Sequence, residues 1–131
     1  MQLISVVDDD PSVRSATIDL LDSAGLTCRA FASAEAYLAS GWVERTSCLV
    51  LDVCMPGLTG IELQHKLVQS GHSIPVIFIS AFPKERVRAK AAALGAICYL
   101  LKPYSEEELL GCIRRALAAP QANSEICGRA L

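Results

Sequence analysis

Short apolar runs alternate with longer amphipathic segments along most of the chain. Five of these runs have the length of a β-strand, and they are apolar at almost every position rather than at every second one. The runs cover residues 3–7, 26–31, 48–51, 74–79 and 97–101. Strands that are apolar throughout are typical of a parallel sheet with helices on both faces. The segments between the runs are long enough for crossover helices, so the pattern predicts an α/β fold with five parallel strands.

Capping signals mark where the intervening helices begin. Asp10 followed by Pro11 is typical of an N-cap and a first helical residue. Two S/T-x-x-E capping boxes open the third and fifth helices: Thr59 with Glu62, and Ser105 with Glu108. A short second helix is predicted over residues 33–38 and a fourth helix over residues 83–94. Strands and helices therefore alternate from one end of the domain to the other.

Length and composition favour one globular domain. The chain has 131 residues, and we expect the domain to occupy residues 1–119 and a linker or flexible tail to occupy residues 120–131. Hydrophobic residues make up 52% of the chain and charged residues 20%, a balance that argues against disorder. A formal net charge of −2 without a basic run argues against direct nucleic-acid binding. No segment has the length of a membrane span or the pattern of a secretion signal, so a cytoplasmic protein is expected.

Six cysteines are scattered along the chain without a CxxC pair or a repeated spacing. They are Cys28, Cys48, Cys54, Cys98, Cys112 and Cys127. Several lie inside apolar runs, where a free thiol behaves as a small hydrophobic group. His65 and His72 have no cysteine at zinc-ligand spacing. We therefore expect buried free thiols and a reducing compartment rather than a disulfide framework or a zinc site.

Charged or hydroxyl side chains stand at the carboxyl ends of four of the five predicted strands. Asp8 and Asp9 follow the first strand, Asp52 the third and Lys102 the fifth, while Ser80 ends the fourth. In an open parallel sheet these strand ends lie along one edge, which is where such folds place their binding sites. Three carboxylates, a hydroxyl and an ammonium group are therefore expected to converge in one cleft.

The clustered carboxylates predict a divalent cation. Two unit charges about 4 Å apart repel each other by about 4 kcal/mol at an effective dielectric constant of about 20. A hard cation with oxygen ligands relieves that repulsion, and Mg²⁺ suits such a site, with Mn²⁺ as the alternative ion. Asp52, followed by a loop rich in Gly and Pro, is the carboxylate best placed to attack phosphorus and form an acyl phosphate. The cation and Lys102 would then offset the charge on the transferring phosphoryl group.

The complete set of motifs resembles a known family over residues 2–118. The motifs are Val7-Asp8-Asp9, the apolar strand into Asp52, Met55-Pro56-Gly57 with Gly60, Ser80-Ala81, and Lys102-Pro103. In this order, each at a strand end, they resemble the response-regulator receiver domain of two-component systems. The segments 11–14 and 60–63 are similar to those of receivers that precede helix-turn-helix transcription domains. The resemblance implies a flavodoxin-like doubly wound (βα)5 sandwich with strand order 2-1-3-4-5.

The resemblance also implies a role for each residue of the metal and acceptor site. Asp52 would be the phosphoacceptor, and a sensor histidine kinase or a phosphotransfer protein would be its phosphodonor. Asp8 and Asp9 would hold Mg²⁺ together with Asp52, with Asp9 binding directly and Asp8 through water. The backbone carbonyl of Cys54 would be a further metal ligand. Asp10 lies outside the metal pair, and its capping role accounts for it.

Further residues are implied for stabilisation and readout of the phosphorylated state. Lys102 would pair with the phosphoryl group, and its peptide bond to Pro103 would be cis. Ser80 would hydrogen-bond the phosphorylated Asp52, and Tyr99 would be the aromatic side chain that changes rotamer with it. The fourth helix, fifth strand and fifth helix would form the output surface, through which a homodimer is also expected. Cys54 and Phe82 stand where many receivers carry polar residues, which bears on the lifetime of the phosphoryl group.

Three other functions compete with a phosphorylated signalling switch. A phosphatase or related hydrolase with an aspartyl-phosphate intermediate would want a second carboxylate two residues after Asp52, where Cys54 stands. A nucleotide-binding domain would want a glycine-rich phosphate loop after a strand, and the sequence has none. A docking module that is never phosphorylated would not need the full set of acidic, hydroxyl and lysine residues. We therefore expect a phosphoacceptor without independent turnover, either stand-alone or part of a longer transcriptional regulator.

Overall fold

The computed structural model describes residues 2–81 and 85–118, and strands and helices alternate throughout this part of the chain. The strands are β1 (Leu3–Val7), β2 (Thr27–Phe31), β3 (Cys48–Asp52), β4 (Val76–Ser80) and β5 (Cys98–Leu101). The helices are α1 (Pro11–Ser23), α2 (Ala34–Ala39), α3 (Gly60–Gln69), α4 (Glu85–Ala93) and α5 (Glu106–Ala118). The predicted tail at residues 120–131 and the predicted start of the fourth helix at residues 83–84 lie outside the described residues.

The five strands form one parallel sheet in the order β2-β1-β3-β4-β5. In the centre of the sheet, Val50 of β3 lies opposite Val6 of β1 on one side and opposite Ile77 of β4 on the other. Strand order reverses between β1 and β3, so the chain leaves the sheet in opposite directions there and opens a crevice at the carboxyl ends. The sheet has the predicted flavodoxin-like topology.

Alternate residues of the central strands point to opposite faces of the sheet and form two apolar layers. Val50 and Ile77 belong to the layer covered by α1 and α5, whereas Leu51 and Phe78 belong to the layer covered by α2, α3 and α4. Every residue of β1, β3 and β4 is buried, which explains why these strands are apolar throughout. Burial of each large aliphatic or aromatic side chain contributes about 1.5–3 kcal/mol.

Caps fix the beginnings of the helices that border the carboxyl edge. The Asp10 side chain accepts hydrogen bonds from the backbone amides of Ser12 and Val13, and Pro11 is the first residue of α1. Thr59 and Glu62 form the predicted reciprocal capping box at the start of α3. Within the described residues, no helix is both long enough and apolar enough to cross a membrane.

A buried hydroxyl cluster joins β1 and α2 to the chain just before β3. The Thr46 hydroxyl shares a hydrogen bond of 2.8 Å with Ser5 and accepts one of 2.8 Å from Tyr37. It also donates to the backbone carbonyl of Trp42 over 2.8 Å. All three hydroxyl residues are buried, so each polar atom needs the partners that the other two supply.

The cysteines differ from the expectation of buried free thiols. Cys98 on β5 and Cys112 on α5 form a disulfide, with 6.2 Å between their Cα atoms. Among the other described cysteines, Cys48 is a buried free thiol, Cys28 is half-buried and Cys54 is exposed. The pairing arises because α5 packs its apolar face against β5, and a separation of 14 residues carries no sequence signal for such contact. Cysteine usage therefore no longer supports a reducing compartment.

Candidate functional site

The carboxyl ends of β1, β3 and β5 bring the predicted acidic residues and lysine together. Carboxylate oxygens of Asp8, Asp9 and Asp52 all lie within 4.8 Å of one another. The Lys102 Nζ atom lies 3.6 Å from Asp8 Oδ2 and 3.6 Å from Asp52 Oδ2. Asp8 and Asp52 are buried and Asp9 is exposed, so the cluster opens to solvent on the Asp9 side.

The Asp52 carboxylate is held in a partly compensated environment. Its Oδ1 atom accepts a hydrogen bond of 3.2 Å from the Cys54 backbone amide. Burial, followed by the charge of Asp8, raises the pKa of Asp52 to about 6, against the opposing effects of Lys102 and the Cys54 amide. Burial alone would lower the pKa of Lys102, but the carboxylates of Asp52 and Asp8 outweigh it and raise that pKa. Lys102 therefore stays charged beside two carboxylates that one ammonium group cannot fully neutralise.

The donor set of this cluster fits a hard divalent cation. Three carboxylates offer oxygen ligands within one small volume, and no thiol or imidazole takes part in the group. Oxygen ligands with open access to water suit Mg²⁺ or Mn²⁺ better than a metal that prefers nitrogen or sulfur. Burial and then the charge of Asp8 raise the pKa of Asp52, and a cation bound among these carboxylates would relieve the repulsion between them.

The loop after β1 is held by two hydrogen bonds that the sequence did not reveal. Asp8 Oδ1 accepts from the Asp10 backbone amide over 2.9 Å, and Arg14 Nη1 donates to the Asp8 backbone carbonyl over 2.8 Å. Arg14 belongs to α1, so the first helix is tied directly to the acidic loop. The contact places a guanidinium group next to the cluster without neutralising a carboxylate.

The loop after Asp52 is shaped by a close approach at Gly60 and by a contact from α2. A Cβ atom on Gly60 would overlap the Asp52 backbone carbonyl oxygen and lie 3.0 Å from the Val53 Cα atom. The Gly60 amide donates to the Val53 carbonyl over 3.0 Å. Glu35 on α2 accepts a hydrogen bond of 3.0 Å from the Leu58 amide. Glu35 was missed by sequence reasoning because its partner is 23 residues away and only the fold brings them together.

The residues predicted for readout border the same edge. Ser80 is buried at the end of β4, and its carbonyl accepts the Lys102 amide over 2.8 Å. The Tyr99 ring lies 6.4 Å from the Phe78 ring, and the Arg88 guanidinium carbon lies 5.1 Å from its centroid. The Tyr99 hydroxyl is buried and has no hydrogen-bond partner within the described part of the chain.

Other predicted residues take different positions. Cys54 is exposed and contributes its amide to Asp52, while Asp10 caps α1. The peptide bond between Lys102 and Pro103 is cis. Phe82 lies outside the described residues.

Comparison with known proteins gives a consistent relationship. The family model of the response regulator receiver domain matches residues 4–114. Response regulator protein TmoT of Ectopseudomonas mendocina is 44% identical over 120 residues, which cover 91% of this chain and 54% of TmoT. Transcriptional regulatory protein TdiR of Thauera aromatica is 39% identical over 115 residues, which cover 88% of this chain and 51% of TdiR. The chain thus spans about half the length of these relatives.

A solved structure supports the same relationship. The response regulator StyR superposes with a TM-score of 0.83 and 41% sequence identity, over 88% of this chain and 59% of that one. Sheet order, acidic cluster and family match agree with one another. The chain belongs to the response regulator receiver domain family of two-component signalling systems.

Proposed function

We propose that Asp52 is the residue of this receiver that accepts the phosphoryl group from a histidine kinase or phosphotransfer protein. The observation that carries the proposal is the position of Asp52 at the end of β3. There its carboxylate lies 3.6 Å from the Lys102 ammonium group and within 4.8 Å of two further carboxylates. A buried, partly compensated carboxylate beside a lysine has the surroundings that a nucleophile for phosphorus needs.

The transfer exchanges one bond to phosphorus for another. A carboxylate oxygen of Asp52 attacks the phosphorus atom, the bond to the donor imidazole nitrogen breaks, and an acyl phosphate forms. Lys102 stands where it can offset negative charge on the phosphoryl oxygens. Asp8, Asp9, Asp52 and the Cys54 carbonyl would hold Mg²⁺ or Mn²⁺, whose positive charge would lower the barrier to transfer. Arg14 and the Asp10 amide keep the Asp8 loop in position.

The phosphorylated state is read through Ser80 and Tyr99 in this proposal. Ser80 is buried at the neighbouring strand end, so its hydroxyl is close to the carboxyl edge where the phosphoryl group would lie. Movement of Ser80 toward the phosphoryl group would be accompanied by a change in the rotamer of Tyr99 on the neighbouring strand β5. The output surface would then be α4, β5 and α5, through which a second copy would pair.

We further propose that the output is transcription, carried out by a longer protein that contains this domain. Support comes from TdiR, a transcriptional regulatory protein of which this chain covers about half. The receiver itself would contribute the phosphorylation-dependent step and no direct contact with DNA.

The acceptor assignment is tested with the variant Asp52→Asn and a small phosphodonor such as acetyl phosphate. Labelling by the phosphodonor in the presence of Mg²⁺ is expected in the wild type and absent in the variant. Asp10→Asn is a matched control, because it also replaces an aspartate near the acidic cluster by asparagine, which keeps the helix cap, while Asp8, Asp9 and Asp52 stay intact. Undiminished labelling of Asp52→Asn, measured by intact-mass spectrometry, would rule out this acceptor.

Independent turnover is not part of the proposed function. Cys54 stands two residues after Asp52 and supplies an amide rather than a carboxylate that could act as an acid or base. Incubation with a chromogenic phosphate ester is therefore expected to release no more than one equivalent of product. Sustained release that depends on Asp52 would instead favour an aspartyl-phosphate hydrolase.

A further inference from the structure

The Cys98–Cys112 disulfide joins the fifth strand to the fifth helix. Cys98 is the first residue of β5, and Cys112 lies in the middle of α5. Their Cα atoms are 6.2 Å apart, within the range that disulfides span without a movement of the backbone. Cys98 is 9% exposed and Cys112 is 7% exposed, so both residues are largely buried but keep a small solvent-accessible area.

A surface cleft gives access to this disulfide. The cleft has a volume of ≈ 580 Å³ and is lined by both cysteines together with Tyr99, Gly111 and Arg115. Gly111 presents no side chain, and a Cβ atom added there would meet nothing within 4 Å. Both cysteines therefore line a cleft that is large enough for a small thiol or hydrogen peroxide.

A cation lies directly against one of the two sulfurs. Arg115 Nη2 is 2.6 Å from Cys98 Sγ. A neighbouring guanidinium group stabilises a thiolate, which makes that sulfur the better leaving group in thiol–disulfide exchange. Glu107 and Glu108 also line the cleft, but Glu108 is engaged with the Ser105 amide in the α5 cap. Within this disulfide, Cys98 is therefore the better leaving group of the two sulfurs.

We propose that Cys98 and Cys112 form a reversible redox site that takes small thiols as reductants and peroxide as oxidant. In reduction, a thiolate attacks Cys112 Sγ, the disulfide breaks, and Cys98 leaves as a thiolate beside Arg115. A second thiol then attacks the mixed disulfide and releases the Cys112 thiol. Two thiols are oxidised to one disulfide, and two electrons and two protons pass to the cysteines. In oxidation, the two cysteine thiols and one peroxide molecule give the disulfide and two water molecules.

The site would regulate the receiver by fixing one element of its output surface. Tyr99 follows Cys98 directly and lines the same cleft, so the disulfide anchors the strand residue next to the proposed readout side chain. After reduction, α5 is still packed through Leu109 and Ile113, both buried, so the fold remains while the covalent restraint is lost. Oxidation is expected to restrict, and reduction to permit, the movement that phosphorylation causes. This consequence, unlike the disulfide chemistry, rests on the function proposed above.

The redox site is tested without phosphorylation. The protein is equilibrated in buffers of different glutathione ratios, free thiols are trapped by alkylation, and the chain is cleaved after glutamate. Glu106, Glu107 and Glu108 separate the two cysteines, so the disulfide appears as a linked pair of peptides. We expect the pair to be replaced by two alkylated peptides as the buffer becomes more reducing. Alkylation of both cysteines in oxidised glutathione, or a linked pair that persists in fully reduced glutathione, would overturn the proposal.

Variants assign the roles within the site. Cys98→Ser and Cys112→Ser should each abolish the linked pair, whereas Cys48→Ser should leave it unchanged. Arg115→Gln is expected to slow reduction by glutathione at least about threefold, because the departing Cys98 thiolate loses its cation. Arg114→Gln, a change at the exposed neighbour, is the matched control. Equal rates for the two arginine variants would contradict the role given to Arg115.

A final measurement separates this inference from the proposed function. Hydrogen exchange over residues 98–118 is compared with and without acetyl phosphate, in the oxidised and reduced wild type. We expect acetyl phosphate to change exchange more in the reduced protein. An equal, Asp52-dependent change in both redox states would overturn the regulatory role alone. No change in either state, with the disulfide chemistry intact, would count against the switching function and against regulation of it.

Discussion

At the scale of single residues, the free-energy cost of burying the Asp52 carboxylate exceeds the stabilisation that its ion pair with Lys102 provides. Asp52 is 6% exposed and has one amide donor and one ammonium group nearby, against the charge of Asp8. The pKa of Asp52 is raised because burial and the charge of Asp8 outweigh the effects of the ammonium group and the amide. An arrangement that stabilised the isolated carboxylate better would leave it a poorer nucleophile and a poorer metal ligand.

The variant Asp52→Asn is expected to stabilise the metal-free domain near neutral pH, by on the order of 1–3 kcal/mol. An acid whose pKa rises from 3.8 to about 6 on folding binds its proton more tightly in the folded state, so its ionisation costs stability as the pH rises. The gain should be complete above about pH 6 and absent below about pH 4. Urea unfolding in a chelator measures it, with exposed Asp19→Asn as control. Destabilisation at neutral pH would contradict the expectation.

Two glycines provide a matched pair of substitutions. Gly60→Ala is expected to destabilise the domain by about 1–3 kcal/mol and to reduce labelling by acetyl phosphate, because a Cβ atom there overlaps the Asp52 carbonyl. Gly111→Ala adds the same methyl group to a helix where nothing lies within 4 Å, and should stabilise the domain by about 0.5–1 kcal/mol. Thermal unfolding of both variants distinguishes crowding at the site from helix propensity. Equal effects would mean that the Gly60 contact is unimportant.

At the scale of elements, hydrogen bonds between buried hydroxyl groups hold in place two segments that are too short to be fixed by apolar packing alone. The 3₁₀ turn at Val43–Arg45 has no side-chain cap, and α2 has only six residues. Thr46 follows the 3₁₀ turn directly, and its hydroxyl is hydrogen-bonded to Tyr37 of α2 and to Ser5 of β1. The turn and α2 are therefore both linked to β1. The position of α2 matters because Glu35, which holds the loop after Asp52, lies on it. The hydroxyl cluster thus reaches the candidate site through one short helix.

Replacing Thr46 by valine is expected to cost about 2–4 kcal/mol, because it leaves the buried hydroxyls of Tyr37 and Ser5 without their shared partner. Tyr37→Phe alone should cost about 0.5–1.5 kcal/mol, since Thr46 keeps its other partners. In the Thr46→Val background the same Tyr37→Phe change should cost nothing or restore stability. A double-mutant cycle in urea measures the coupling, and additive losses would show that the cluster does not act as a unit.

At the scale of the whole molecule, most of the architecture could be predicted because its cause is local. Strands that are apolar throughout require helices on both faces of the sheet. A helix cap such as Thr59 with Glu62 depends on only four consecutive residues. The acidic cluster was also predictable, since strand ends meet at one edge. Contacts that depend on how one element is oriented against another could not be predicted: the hydrogen bond from Arg14 to the Asp8 backbone carbonyl depends on the rotation of α1 about its axis. The Cys98–Cys112 pairing likewise depends on how α5 lies on the sheet.

Divalent cations are expected to stabilise the whole domain through the acidic cluster. A cation at about 100 times its dissociation constant adds about 2.7 kcal/mol, which corresponds to a rise of several degrees in Tm. Asp9→Asn should remove most of the rise caused by Mg²⁺ while leaving the metal-free Tm nearly unchanged, because Asp9 is exposed. Asp10→Asn should keep the rise. Scanning calorimetry with and without Mg²⁺ provides the comparison, and an undiminished rise in Asp9→Asn would place the cation elsewhere.

The Tyr99 hydroxyl has a consequence for the ensemble of conformations. An O–H group buried without a partner, as this one is within the described residues, costs about 1–3 kcal/mol. That cost lowers the population of the described conformation by roughly 5- to 150-fold, relative to a conformation in which the hydroxyl is hydrogen-bonded to water. A minor population with Tyr99 turned outward should therefore exist before any modification. Tyr99→Phe, which removes the hydroxyl and keeps the ring, would deplete that population.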